Sequence, residues 1–505
     1  MVITMAVIMY EGGLVNKLCG TPVKGKFSNF GGKTMSSVTK DLKKHKLSTA
    51  TVFCMIFCMV CAGSYGIEDM IPASGPGLTI LLLILLPFFW SIPQGLVAAE
   101  LGSAIPEEGG YYRWIYRALG EYWGFQACWW RTVSIYVDST LYVILSVSYI
   151  STMIPMSGWQ EFILKVFFIL AFSYINIRGL TVVGRVASYF SIIVIGSFLA
   201  LIMVGFANWQ YNPVTPFIPP GQGGLESLGL GIAICMWMYA GYESMSTMAG
   251  EMENPQVISR ATILSVPAIM LLYILSTIAC LAAVGNWQMW GVEDGISFGS
   301  VSYILGYPAL GAVFVVTAVI ANLSMYNSYL ASGSRGFFSL ADDNLCPKFL
   351  KKLHPKYKTP YMAIIGMAVT NLILCEIGFD TLVVIDVFLL MFAYILIYVA
   401  AIVLRKKEPD LQRPFRIPLG IKGLTALCIP PILLAVAALF TNGYSYFIGG
   451  CLGVISGPVA YYFCKRKYGG CDGSYQLSAT AKKTTIILAL IMVAFIVGAL
   501  LLMNL

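Results

Sequence analysis

The chain has 505 residues, of which 58% are hydrophobic and only 11% charged, with a formal net charge of +8. Soluble domains average about 25% charged residues, so this composition, with a mean hydropathy of +0.78, excludes a soluble protein and requires one embedded in a lipid bilayer. The positive balance does not indicate nucleic acid either, because the basic residues punctuate apolar stretches instead of clustering on one segment.

Residues 1–46 read as a soluble tail closing on the basic run Lys40-Asp-Leu-Lys-Lys-His-Lys46. Its first nine residues are apolar but lack a basic leader and the length to span a bilayer. Thirteen apolar runs follow, over residues 47–71, 78–99, 123–154, 162–177, 186–207, 225–249, 263–284, 308–332, 361–378, 382–404, 424–441, 446–464 and 485–504. Unbroken runs of about 20 apolar residues make helices, whereas barrel strands would be about 10 residues of alternating polarity. With the tail on the cytosolic side and the spans alternating, no external loop contains Lys or Arg. The only basic residues outside the internal segments are then Arg131 and Lys165, both within spans. This is the positive-inside pattern, and it predicts a cytosolic N-terminus.

Two spans break their own apolar rule. The first is interrupted by Ala62-Gly-Ser-Tyr-Gly-Ile-Glu-Asp69, the sixth by Tyr239-Ala-Gly-Tyr-Glu-Ser244. Exposed backbone at membrane depth survives only where it faces protein or a cavity. Interruptions in corresponding members of two five-helix sets point to an inverted repeat with a midplane site between them. The expected organisation is a first repeat over 47–207, a second over 225–404, accessory helices over 423–464 and an extra span over 484–504. Gly63 and Gly66 let unwound backbone approach a ligand, and the freed N–H groups there suit a carboxylate. A glycine kink serving only close helix packing is the competing reading.

Glu243 lies near mid-depth, where an ionisable group is costly unless it faces protein, water or ligand. Asp138, in the third span, is a second buried acid, and Glu68-Asp69 follow the first break. Arg131 precedes Asp138 by seven positions, on one helix face and about 10 Å away, too far for a direct bond. Structural pairing of Arg131 and Asp138 with other helices is the alternative role for both. Asp386 reads as structural or proton-linked. Asn322, Ser324, Asn327, Ser328 and Ser332 give the eighth span a partly polar face, either packing contacts or a vestibule wall. Cys54, Cys58 and Cys61 lie in an apolar run without a second pair or a nearby histidine, which reads as helix packing and not a metal site. The only histidines, His45 and His354, sit in basic segments where solvent exposure is the default. There is no HExxH or GxxxxGK[ST] motif, and no cofactor or enzymatic activity is indicated.

Several blocks resemble the amino acid–polyamine–organocation transporter superfamily, and within it the eukaryotic polyamine:proton symporter branch. They include Gly63-Ser-Tyr-Gly-Ile-Glu-Asp69, Phe89-Trp-Ser-Ile-Pro93, Ala99-Glu-Leu-Gly-Ser-Ala-Ile-Pro-Glu-Glu-Gly-Gly-Tyr111, Trp123-Gly-Phe-Gln126, Asp138-Ser-Thr-Leu-Tyr142, Ser246-Thr-Met-Ala-Gly-Glu-Met-Glu-Asn-Pro255 and Arg413-Pro-Phe-Arg-Ile-Pro-Leu-Gly420. The resemblance implies an all-α, LeuT-like 5+5 inverted repeat with discontinuous first and sixth helices, plus two accessory helices. It also implies substrate bound between those two helices, with the acid at the position of Glu243 meeting a cationic amine. The branch usually has Trp-Asp-Ser where this chain has Tyr242-Glu243-Ser244, and Gly-Pro-Phe-Gly where it has Gly63-Ser64-Tyr65-Gly66. Some proton-coupled relatives carry a lysine in the fifth helix; this chain has none between Ala187 and Ala207, so a proton would ride on a carboxylate.

The expectation is a proton-coupled symporter of polyamines or cationic amino acids in the plasma membrane. The alternative is a proton-coupled or exchanging permease for neutral or broad-range amino acids, and a non-transporting sensor is a third reading. Substrate-binding candidates are Gly63, Ser64, Tyr65, Gly66, Asp138, Tyr142, Tyr239, Gly241 and Glu243, with Glu68, Asp138 and Glu243 as proton carriers. The expected partners are a small-molecule substrate, protons and lipid, with no nucleic acid and no obligate protein subunit indicated.

Overall fold

A computed structural model describes residues 41–291, 295–377, 379–438 and 444–503; the expected tail up to residue 40 and the last two residues lie outside the described residues. The chain forms α1 (Thr49–Val60), α2 (Ile67–Ser74), α3 (Pro76–Phe89), α4 (Ser91–Ala104), α5 (Tyr111–Leu119), α6 (Glu121–Met153), α7 (Gly158–Ile177), α8 (Leu180–Ala207) and α9 (Gly224–Met238). After a 3-10 segment at Ser244–Glu251 come α10 (Gln256–Ala283), α11 (Phe298–Ile304), α12 (Pro308–Asp342), α13 (Tyr361–Leu374), α14 (Phe379–Lys407), α15 (Ile421–Ala438), α16 (Tyr444–Tyr468) and α17 (Ala479–Met503). Each of the thirteen apolar runs falls, over most of its described residues, on helix. Among the described residues, eight helical stretches are long and apolar enough to cross a membrane by themselves, and the shorter α1, α13 and α15 are also apolar. The protein is an all-helical, multi-pass membrane protein.

The helices α6 and α14 are the most enclosed of the long ones, while α7 and α17 are peripheral. Helix α6 packs along both α12 and α14. Its 33 residues span about 50 Å, well beyond the roughly 30 Å of a hydrocarbon core. The second apolar run is divided at Trp90 into α3 and α4. Pro93, three residues on, cannot donate to the helix ladder and crowds the carbonyl four residues back.

Both expected interruptions are present. The first helix stops at Val60 and resumes at Ile67; the sixth stops at Met238. Its second half is a 3-10 helix, not the α-helix that the apolar run suggested. Ser246 Oγ donates to the Glu243 carbonyl (2.5 Å) and Thr247 Oγ1 to that of Ser244 (2.9 Å). Short polar side chains bonding three residues back compete with the α ladder and favour the tighter winding.

Ion pairs gather at the basic end of the bundle. Glu100 in α4 accepts from Arg405 Nε (2.6 Å) and Nη2 (2.5 Å), and from the Ile417 amide (2.8 Å). This contact joins two of the blocks on which the family resemblance rests. Arg335 pairs with Glu251 at 2.8 Å, both side chains fully buried. Arg113 pairs with Asp343 (2.5 Å), and Lys465 with Glu121 (2.8 Å). Residues 41–46 are not a free tail end. His45 donates its amide to the Glu251 carbonyl and accepts from the Glu253 amide, while the Lys44 ammonium donates to the Gly250 carbonyl. The expectation of a solvent-exposed His45 is therefore corrected. Its ring is buried against Thr181 Oγ1 at 2.6 Å, and burial holds the imidazole below its ordinary range. His354 is half-buried and stacks on Tyr357.

Candidate functional site

The break in the sixth helix is held open by its own geometry. Gly241 has φ of +113°, a conformation costly for any residue with a Cβ. A Cβ there would lie 2.8 Å from Tyr329 Oη and 3.0 Å from the Met59 carbonyl. The Gly241 amide, which has no helical acceptor, donates to Tyr394 Oη at 2.8 Å, and that hydroxyl donates to Glu243 Oε2 at 2.9 Å.

Glu243 is 1% exposed, and its carboxylate is paired within the protein. Arg131 Nε donates to Glu243 Oε1 at 2.7 Å, and Arg131 Nη2 to Ser244 Oγ at 2.9 Å. The guanidinium also lies 5.8 Å from the Tyr329 ring centroid. A charge-assisted contact of this length in a water-poor site is among the stronger side-chain bonds.

The same arginine leads to two more acids. Arg131 Nη1 donates to Ser134 Oγ (3.1 Å), which donates to Asp386 Oδ1 on α14 at 2.5 Å. Arg131, Ser134 and Asp138 occur at spacings of three and four, so they share one face of α6. Asp138 is 4% exposed, neighbours Asp386, and its Oδ1 has no partner among the described residues. One turn further, the Tyr142 hydroxyl lies beside the Asp138 carboxyl, and its ring stacks on Tyr329 at 5.8 Å and 4°. Three carboxylates, one guanidinium and the hydroxyls of Tyr394 and Tyr142 thus meet where α6, α12, α14 and the broken sixth helix converge.

The first break is organised around Glu68. Gly66, at φ of +100°, donates its amide to Glu68 Oε2 at 2.7 Å, while the Phe298 amide of α11 reaches Oε1 at 3.3 Å. Glu68 is 1% exposed, so it is an internal tie and not a rim residue. Tyr65 packs edge-on to Phe198 and near Tyr149, its hydroxyl reaching the Phe314 carbonyl (3.4 Å). The amide of Gly63 faces Cys61 Sγ at 3.3 Å.

Of the sequence candidates, Gly241 and Glu243 meet directly through Tyr394, and Asp138 and Tyr142 join them through Arg131, Ser134 and Tyr329. Gly63, Tyr65, Gly66 and Glu68 form a second group at the first break. Ser64 and Tyr239 belong to neither. Ser64 Oγ bonds Ser276 on α10 at 2.7 Å, and Tyr239 Oη donates to the Leu83 carbonyl at 3.1 Å. The polar face of α12 serves mainly as helix contacts: Asn327 meets Asn176 (3.2 Å), and Ser332 Oγ donates to the Ser244 carbonyl (2.9 Å). Sequence reasoning missed the Arg131–Glu243 pair, Tyr394 and the Ser134–Asp386 bond. A mid-span arginine demands a nearby counter-charge, so the first of these had a signal. Tyr394 had none, being one of 29 tyrosines.

A family model described as "Amino acid permease" matches residues 47–456. Among curated proteins, the chain is 32% identical to Polyamine transporter RMV1 of Arabidopsis thaliana, over 79% of this chain and 81% of that protein. It is 31% identical to Polyamine transporter PUT1 of rice, Oryza sativa subsp. japonica, over 83% and 78% respectively. It is 26% identical to the branched-chain amino acid permease BcaP of Bacillus subtilis, over 78% and 87%. The matched residues contain both broken helices and all the acids described above, and the chain is a membrane transporter, not an enzyme, belonging to the amino acid permease family.

Proposed function

We propose that this protein is a proton-coupled symporter of polyamines, cationic amines that carry no carboxylate. The observation that carries the reading is Glu68. An amino acid substrate would place its carboxylate on free amides at the first break, and the chain's own carboxylate accepts the Gly66 amide there. A second carboxylate would meet repulsion at that position, whereas an amine would not. The more similar relatives, which are named polyamine transporters, support the same substrate class. The amine is bound by Glu243 and Asp138, with Tyr142, Gly241 and the Gly63–Gly66 backbone shaping the space, and Ser64, Tyr65 and Tyr239 supporting it from behind. Protons ride on Asp138, Glu243 or Glu68, because no fifth-helix lysine is present to serve as a fixed cation.

The breaks in the first and sixth helices support a 5+5 inverted repeat over residues 47–207 and 225–404, with 423–464 as accessory helices and 484–504 as an added span. The basic end faces the cytosol of a plasma-membrane carrier. An epitope at residue 30 should label only after permeabilisation, and labelling of intact cells would reject that orientation.

The substrate reading is tested by uptake in a transport-deficient host, with labelled putrescine, spermidine, arginine and leucine at two external pH values. Putrescine and spermidine should enter, faster at the lower pH and independently of sodium. Leucine uptake exceeding that of the amines would overturn the reading; sodium dependence with a flat pH response would overturn the coupling.

A further inference from the structure

We propose that the cluster of Arg131, Glu243, Asp138 and Asp386 fixes the charge of the preferred substrate at two, with Arg131 serving as a resident counter-cation. The inference deepens the reading of the chain as a carrier of cationic amines and rests on it.

Three carboxylates and one guanidinium meet at the centre of the bundle, and each of these four side chains is at most 4% exposed. Arg131 neutralises Glu243 directly at 2.7 Å and reaches Asp386 through Ser134. Two negative charges then remain without a cation among the described residues. Charges held out of water in this way are expensive unless countered. Two protons or one dication can counter them. The unpartnered Oδ1 of Asp138 is the open acceptor where one end of such a ligand would bind. Asp138 and Arg131 lie two helical turns apart on one face of α6, about 10 Å along the axis. With Glu243 paired to Arg131, the two charges left are those of the neighbouring Asp138 and Asp386, contributed by α6 and α14. The fixed cation comes from α6, since α8 has no lysine between Ala187 and Ala207.

The charge balance gives signed expectations. Arg131→Gln raises the uncountered charge to three, and Asp386→Asn lowers it to one. The experiment measures kcat/KM for a monoamine (butylamine), a diamine (putrescine) and a triamine (spermidine), each normalised to surface protein. In R131Q the spermidine-to-putrescine ratio should rise by about tenfold or more, since one unpaired charge in a site of low dielectric changes affinity at least that much. In D386N the butylamine-to-putrescine ratio should rise by a similar factor. Arg131→Lys, which keeps the charge, should hold the wild-type order. Ratios unchanged in both neutralised variants, or moving toward the same charge in both, would overturn the inference. Should R131Q fail to reach the surface, the D386N ratio decides alone: a rise supports the inference and no change overturns it. Wild-type protein that takes up no amine would instead overturn the functional reading on which the inference stands.

Discussion

Glu243→Gln should lower cationic amine uptake per delivered molecule by at least about tenfold. A charge-assisted bond in such a site contributes roughly 1.5–3 kcal/mol, and each 1.36 kcal/mol is a factor of ten. The effect is compounded by Arg131. With Glu243 neutral, the guanidinium that now sits 2.7 Å from it is left unpaired in the bundle centre and repels an incoming amine. Breaking a buried pair by removing one partner costs about 3–5 kcal/mol, so the amount of E243Q at the surface should fall as well. Adding Arg131→Gln removes the stranded charge and should recover surface protein, while uptake per molecule stays low because the carboxylate at the helix break is still absent. Glu243→Asp keeps the charge on a shorter arm and should retain part of the uptake. Quantifying surface protein and uptake together separates the two effects. Normal uptake per molecule in E243Q would remove Glu243 from the binding site and leave it a structural partner of Arg131.

The second large effect is expected at the basic end, where no substrate contact is proposed. Arg335→Met strands Glu251, since the pair is fully buried at 2.8 Å. Glu108 aggravates the loss, because both its oxygens are buried without a partner among the described residues, close to Gly250. Glu108 and Glu251, close together at the end of the 3-10 segment, would then lose the Arg335 cation and keep the Lys44 ammonium that is held on the Gly250 carbonyl. A cost of about 3–5 kcal/mol is a large part of the 5–15 kcal/mol that holds a typical domain folded. R335M should therefore reach the membrane poorly and melt early in detergent, and Glu251→Gln added to it should recover part of both losses. Wild-type melting of R335M would show that this pair does not hold the end of the bundle.

Both broken helices are legible in the sequence because a glycine-flanked polar run inside an apolar one has few other uses at membrane depth. Helix positions are legible for a similar reason: the bilayer demands long apolar runs, and each of the thirteen falls, over most of its described residues, on helix. Pairing is less legible. The spacing of Arg131 and Asp138 gives a shared face of α6, yet Arg131 reaches across to Glu243, 112 positions later. Periodicity tells which residues share a face and not which helix that face meets. His45 shows the opposite error, since a basic segment reads as solvated until its backbone is seen paired with Glu251 and Glu253. Ser64 and Tyr239 stand at the breaks by position, and only the structure shows that their hydroxyls bond to Ser276 on α10 and to the Leu83 carbonyl on α3.

A cationic amine held on the buried carboxylates at the break of the sixth helix should bind there in the absence of transport. Equilibrium binding of labelled spermidine to the purified protein tests it without the complications of delivery, gradients or turnover. Wild type should bind saturably, with putrescine displacing the label and leucine failing to do so. Folded E243Q and Asp138→Asn should each lose at least about tenfold in affinity, about 1.4 kcal/mol. Spermidine binding of wild-type strength in both variants, or displacement by leucine at concentrations where putrescine has no effect, would exclude an amine site on these carboxylates.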